Sequence, residues 1–227
     1  VSQEGDIFLT AVGDMIYNEE ISHFTEPYYT NLYRIMRDAR LAYGNLEMSL
    51  NEKPELQRLI IQFGREREFA WEIAKIGINM VGLANNHSLD YGTEGLKDCL
   101  RILRTSGFTY AGGGLNLTQA RTAQFKWALK TKFALLSFYS SRHSLWTNPD
   151  EPTIATVRAP TVLLEKEGGK SEAIPAPIEE DVNAMEDAIS VAKRNADIVI
   201  VAFHLHWLSH SRAYGIPDKV PPHQTQV

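Results

Sequence analysis

Leu83-Ala84-Asn85-Asn86-His87-Ser88-Leu89-Asp90-Tyr91-Gly92 sits between two segments of different periodicity. Ile78-Asn79-Met80-Val81-Gly82 before it is an apolar run of strand length, and residues 93–104 after it repeat their apolar side chains at helical spacing. The stretch therefore reads as the loop by which a strand hands over to a helix. In open α/β sheets, ligands gather at such loops, at the carboxyl ends of strands. Asn, His and Asp each offer a lone pair to a metal ion or to a proton-bearing group. The same residues also suit a plain turn, in which Asn85 and Asn86 bend the chain, Ser88 or Asp90 caps the helix and Gly92 relieves the backbone.

Working outward, polar groups recur after other strand-like runs. Ile7-Phe8-Leu9-Thr10-Ala11-Val12 reads as a buried strand that runs into Gly13-Asp14. Leu41-Ala42-Tyr43-Gly44 is another, followed by Asn45-Leu46-Glu47, with Asn45 and Glu47 on one side if the strand persists. Ile198-Val199-Ile200-Val201-Ala202-Phe203 is the strongest buried-strand pattern in the chain. It ends in His204-Leu205-His206-Trp207, where alternation puts both histidines on one face. In a parallel sheet these ends line one edge, so groups far apart in sequence converge. Carboxylate, amide and imidazole together make an oxygen and nitrogen shell suited to a divalent manganese, zinc or iron ion. Such an ion polarises a phosphoryl or acyl oxygen and lowers the pKa of a bound water. The competing reading of each histidine is a buried core residue satisfied by a hydrogen bond; the coincidence of several strand ends favours the shared site.

Between these points, residues 28–38 read as a helix with Tyr29, Leu32, Ile35 and Met36 on its apolar face. Residues 51–67 are charged, with Arg58, Arg65 and Arg67 in a loop that either is solvated surface or contacts an anionic substrate over the site. Residues 69–76 read as a helix closed by Gly77, and Gly112-Gly113-Gly114 as a turn before a helix at 117–121. Residues 125–130 and 132–139 are strands, and residues 140–177, rich in proline, form a long lid-like or binding loop. Residues 178–195 are an amphipathic helix whose acidic first turn, Glu179-Glu180-Asp181, suits the helix dipole.

Composition narrows the function classes. A chain of 227 residues with formal net charge -5 holds one α/β domain with a substantial core, or two small ones, and is a poor general binder of nucleic acid or of anionic membrane. An anionic substrate would need a metal or a local basic cluster to attract it. The single Cys99 excludes an internal disulfide, and no apolar run is long enough to span a bilayer. The chain opens on Val1, so membrane association is expected only through a segment not present in it.

Gly13-Asp14, Asn45-Leu46-Glu47, the stretch from Ala84 to Gly92, Gly112 to Asn116 with Ala120, and His206-Trp207 occur in that order. Together, from about Ile7 to Trp207, they resemble the bacterial capsule-synthesis (CapA-type) family linked to poly-γ-glutamate synthesis, which is related to the calcineurin-like metallophosphatases. The resemblance implies an α/β/β/α sandwich of four layers forming one domain over residues 1–227. It also implies a location at the cell envelope or outside the cell. It matches Asp14 to the first metal-binding aspartate, Glu47 (or Asn45) to the bridging carboxylate, Asn86 to the asparagine ligand and His206 to the histidine of the later strand. His87 matches the histidine beside the substrate, with Asp90 as its catalytic companion. That leaves Asn45, Asn85, Arg65, Arg67 and His204 as substrate-binding candidates. If His206 sits at the strand's carboxyl end, it is expected to face Asp14 and Asn86. His204, one pleat deeper, is then expected to pack among apolar residues and hold a hydrogen bond.

The pattern departs from the family in places. Ile16 stands where metallophosphatases carry a histidine, and Leu208 follows Trp207 where the family has glycine. The family continues with a Gly-His-x-His-like segment that would lie past Val227, so the sandwich is expected without its C-terminal part. The implied function is a metal-dependent hydrolase-type site acting on an anionic polymer or a small phosphate-containing substrate. The rivals are a metal-free acid/base enzyme, peptide-modifying or epimerising, and a non-enzymatic factor that holds an anionic polymer for assembly or export.

Overall fold

The first sheet starts with β1 (Leu9–Met15) and, after helix α1 (Pro27–Asp38), β2 (Leu41–Leu46), which pair in parallel. A computed structural model describes the backbone of residues 7–52, 62–141, 148–166 and 170–206, with the side chains of all of these except 141, 166, 170–173 and 206. Next come β3 (Ser49–Asn51), β4 (Gly64–Glu66), α2 (Phe69–Lys75), β5 (Met80–Gly82), α3 (Gly92–Thr105) and β6 (Thr109–Ala111). β1, β2, β5 and β6 lie in that order in a parallel sheet. β7 (Gly113–Gly114), α4 (Leu117–Ala120), β8 (Gln124–Ala128) and β9 (Thr131–Ser141) follow. Then come β10 (Thr153–Ile154), the hairpin of β11 (Thr161–Lys166) and β12 (Lys170–Pro175), α5 (Glu179–Asn195) and β13 (Ile198–His206). The second sheet has the order β13-β9-β8, with β13 parallel to β9 and β8 antiparallel to it.

Strand alternation builds the layers. On β2, Leu41 and Tyr43 meet Met80 of β5 and Ala128, Phe133 and Leu135 of the second sheet, so the two sheets pack face to face. Ala42 and Leu46 point the other way, into a core with Met36 of α1, Ile73 of α2 and Leu96 of α3. On β9, Ala134, Leu136 and Phe138 face Met185 and Ala192 of α5. Helices, sheet, sheet and helix thus form the expected four layers. Each fully buried Leu, Ile or Met contributes about 1.5–3 kcal/mol, which is why these alternating positions dominate the fold.

Local differences from the sequence reading have physical causes. Residues 51–67 do not form only a loop, since β3 and β4 pair in parallel around residues 53–61, which lie outside the described residues and include Arg58. Part of the stretch from 140 to 177 is likewise strand, because β10 pairs with β7 and β11 with β12. In α1 the buried side chains are Tyr33 and Met36, while Leu32 and Ile35 are exposed; the helix is rotated so that the Tyr33 hydroxyl reaches the Ile21 carbonyl at 2.6 Å. β13 is apolar on both faces, yet Ile198, Val201 and Leu205 are exposed, because among the described residues only β9 pairs with it.

Candidate metal centre

The centre lies where the two sheets open at the carboxyl ends of their parallel strands. On β2, Asn45 continues the face of Leu41 and Tyr43, so its amide emerges between the sheets. A bulge in β1 between Ala11 and Asp14 inserts one residue relative to β2 and brings Asp14 opposite Asn45. Asn45 Nδ2 donates to Asp14 Oδ1 at 2.7 Å. Across the gap, β13 supplies His204 from the face that also carries Ile200 and Ala202.

The His204 ring is the hub. Its Nε2 lies 2.9 Å from Asn86 Oδ1 and 3.7 Å from Glu47 Oε1. Its Nδ1 lies 3.4 Å from Asp14 Oδ1 and 3.2 Å from Asn45 Nδ2. The sequence expectation that His204 packs among apolar residues is therefore corrected, because the ring sits among carboxylate and amide groups. The side chain of His206 lies outside the described residues; its backbone closes β13 opposite Ser141.

Asp14, Glu47 and His204 each offer one ligand atom within 4.8 Å of the others. The donor set fits a divalent first-row ion, whose ligands stand about 2.0–2.2 Å from the metal and so within about 4.4 Å of one another. Small side-chain adjustments close that difference. The electrostatics agree. Glu47 is buried, and its carboxyl is pushed up to about 7 by that burial and then by the Asp14 carboxylate, with which it shares a hydrogen bond. The His87 imidazole pulls the other way. Two carboxyl groups crowded together hold a proton that a cation would replace.

The loop from Asn85 to Asp90 sets the other wall. Asn85 is fully buried, and its Nδ2 donates to Asn45 Oδ1 at 3.1 Å and to the Leu46 carbonyl at 2.9 Å. Its Oδ1 accepts from the His87 amide and the Ser88 hydroxyl, each at 3.0 Å. These bonds use both donors and both lone pairs, so Asn85 builds the loop and has nothing left to offer a ligand. Ser88 and Asp90 do not cap α3, whose N-cap is Tyr91 without a side-chain cap. Ser88 bonds instead to Leu83 and Asn85, and Asp90 Oδ2 accepts from the Phe63 amide at 2.9 Å. The same Asp90 oxygen lies 2.9 Å from His87 Nδ1, which turns His87 Nε2 toward Glu47 Oε1, 3.9 Å away. The Phe63 ring backs the imidazole edge-on.

The two arginines are tied to protein groups. Arg65 on β4 donates to the Asn18 carbonyl at 2.6 Å and lies over the Phe69 ring. Arg67 pairs with Glu52 at 3.1 Å. Among the described residues, neither bonds to Asp14, Glu47, His87 or His204.

Residues 3–215 of the chain match the family model described as bacterial capsule synthesis protein PGA_cap. The capsule biosynthesis protein CapA of Bacillus anthracis is 24% identical over 208 residues, which cover 88% of this chain and 46% of that protein. The PGA biosynthesis protein CapA of Bacillus subtilis (strain 168) is 24% identical over 200 residues, covering 85% of this chain and 47% of that protein. A protein of Sinorhizobium fredii described as uncharacterized protein y4sH is 32% identical over 139 residues, 59% of this chain and 30% of its own. The chain thus spans less than half the length of each of these curated relatives.

Proposed function

Because this chain belongs to the bacterial capsule synthesis protein family PGA_cap, we propose that it serves capsule-polymer biosynthesis through a divalent-metal-dependent, hydrolase-type site. The observation that carries this reading is the convergence of Asp14, Glu47 and His204, from separate strand ends, to within 4.8 Å. Asp14, Glu47, His204 and Asn86 would hold the ion, and His206, on the same face of β13, would add a further nitrogen. When bound, the ion supplies Lewis acidity to a phosphoryl or acyl group. Asn45 fixes the Asp14 carboxylate and the His204 ring together. His87, oriented through Nδ1 by Asp90, presents Nε2 to the centre, where it protonates a leaving group or steadies developing charge. The substrate class is an anionic polymer or a small phosphate-containing molecule, whose charge the ion offsets.

One observation favours a second reading, a metal-free acid/base site of peptide-modifying or epimerising type. Glu47 titrates near neutral pH, where a general acid or base works best, and His87 is close by. Hydrolysis of a panel of phosphate and carboxylate esters, measured after chelation and after return of manganese, zinc or iron, separates the two. Turnover that vanishes on chelation and returns with one ion supports the metal reading. Turnover indifferent to chelation supports the acid/base reading, and no turnover on any substrate contradicts both.

A further inference from the structure

Asp14, Asn45 and His204 also line a cavity of about 220 Å³, together with Tyr43, Ser137 and Ala202. At about 30 Å³ per water it has room for a small organic group. Tyr43 lies two residues before Asn45 on β2 and on the same face, so its ring packs in the core between the two sheets. The residue is only 9% exposed, yet its hydroxyl makes no hydrogen bond among the described residues. A phenylalanine would fill the same space and leave no polar atom unpaired, so the hydroxyl adds nothing to the fold that the ring does not. From the second sheet, buried Ser137 on β9 accepts the Ala84 amide at 3.3 Å, which leaves its O–H to donate. The two hydroxyls converge over Gly82. A Cβ there would stand 2.3 Å from the Tyr43 hydroxyl oxygen and 2.9 Å from Ser137 Oγ, so only glycine leaves room for both.

We propose that this cavity is a subsite for an uncharged carbonyl group of the substrate, of an amide or an ester, with the Tyr43 and Ser137 hydroxyls donating to its oxygen. Two neutral O–H donors suit a neutral acceptor. No lysine or arginine lines the cavity among the described residues, and the Asp14 carboxylate disfavours a second anion inside it. Ala202 and the Tyr43 ring offer apolar wall to the carbon atoms beside the carbonyl. Any anionic part of the substrate then belongs at the ion, and the chemistry of the centre narrows to acyl rather than phosphoryl groups. The part this subsite plays in turnover rests on the hydrolase-type reading above; its binding of a carbonyl does not.

The test is a ligand-observed NMR titration of the full chain with butyramide and with ethyl acetate, a chelator being present so that no ion holds the probe. At least one of the two should bind more tightly than butyrate or methyl phosphate, and the tighter one names the source of the carbonyl. Tyr43→Phe should weaken that probe by about three- to tenfold, the worth of one neutral hydrogen bond. Its melting temperature should be unchanged or higher, because the hydroxyl has no partner to lose. Ser137→Ala should weaken the probe as well, but it also takes the acceptor from the Ala84 amide, so Tyr43→Phe is the deciding variant. Zinc and manganese titrations of Tyr43→Phe should match the unaltered chain, so failure of the subsite and failure of the metal centre are read separately. No binding of either probe, tighter binding of butyrate or methyl phosphate, unchanged affinity in Tyr43→Phe, or a fall in its melting temperature would each overturn the proposal.

Discussion

His204 Nε2 lies 2.9 Å from Asn86 Oδ1, although the two residues are 118 positions apart, His204 on β13 of the second sheet and Asn86 in the loop that leaves the first. The contact ties the end of β13 to the loop after β5, so the opening between the sheets is framed by polar groups held in place by one another. Asn45 continues the chain of contacts to Asp14, and Asn85 continues it to Leu46 and His87.

That network predicts an unequal response within the Asn85-Asn86 pair. Asn85→Ala takes a partner from the Leu46 carbonyl, the His87 amide and Asn45 Oδ1 in a buried site, which costs about 3 kcal/mol. For a chain of this size the melting temperature should fall by roughly 6–12 °C. Asn86→Ala, which is only partly buried, should cost under about 1 kcal/mol. Thermal denaturation of both variants checks this, and equal losses would argue against the assignment of Asn85 as the builder of the loop.

Much of this site was legible because strand ends are. Asp14, Asn45, Glu47, Asn86 and His87 each follow a short apolar run, and a parallel sheet brings such ends to one edge. On β13, alternation puts His204 and His206 on one face; the His204 ring comes within 3.4 Å of Asp14, and the side chain of His206 lies outside the described residues. Asn85 and Asn86 have the same side chain, so no pattern separates the buried one from the one that faces the centre. Arg65 and Arg67 read as substrate contacts, and the structure adds what the sequence does not show, that Arg65 bonds to the Asn18 carbonyl and Arg67 to Glu52. Asp181 read as a dipole partner in the first turn of α5. It is in fact buried, gripped by Arg158 at 2.6 Å and Arg121 at 2.7 Å, contacts made across distant parts of the chain.

His87 and Asp90 should separate activity from stability. His87→Ala removes a partly exposed ring and is expected to abolish turnover for about 1 kcal/mol or less of stability. Asp90→Ala also leaves the Phe63 amide without its acceptor, so it should cost more, about 2 kcal/mol. Denaturant unfolding of the two variants measures the difference; a larger loss in His87→Ala would make His87 a structural histidine.

Acid should act on Glu72. Burial pushes its carboxyl up, but bonds from Lys75 Nζ at 2.7 Å and the Ser22 amide at 3.0 Å outweigh that and bring it down to about 2, against an ordinary 4.5. A carboxyl depressed in the folded state contributes stability that is whole above its unfolded pKa and is lost as pH falls through the folded one. The stability gap between the unaltered chain and Glu72→Gln should therefore be constant from neutral pH down to about 5 and shrink between about 4.5 and 2. Melting temperatures across that range test it; a gap that widens on acidification would contradict the pairing.

The central claim is that Asp14, Glu47 and His204 hold a divalent ion, and calorimetric titration with manganese, zinc and iron(II), joined to elemental analysis of the reconstituted protein, tests it most directly. One or more stoichiometric ions should bind the unaltered chain, Asp14→Asn and His204→Ala should each weaken binding by about tenfold or more, and His87→Ala should leave it nearly unchanged. Absence of stoichiometric metal after reconstitution with all of these ions, or full binding in His204→Ala, would contradict the claim.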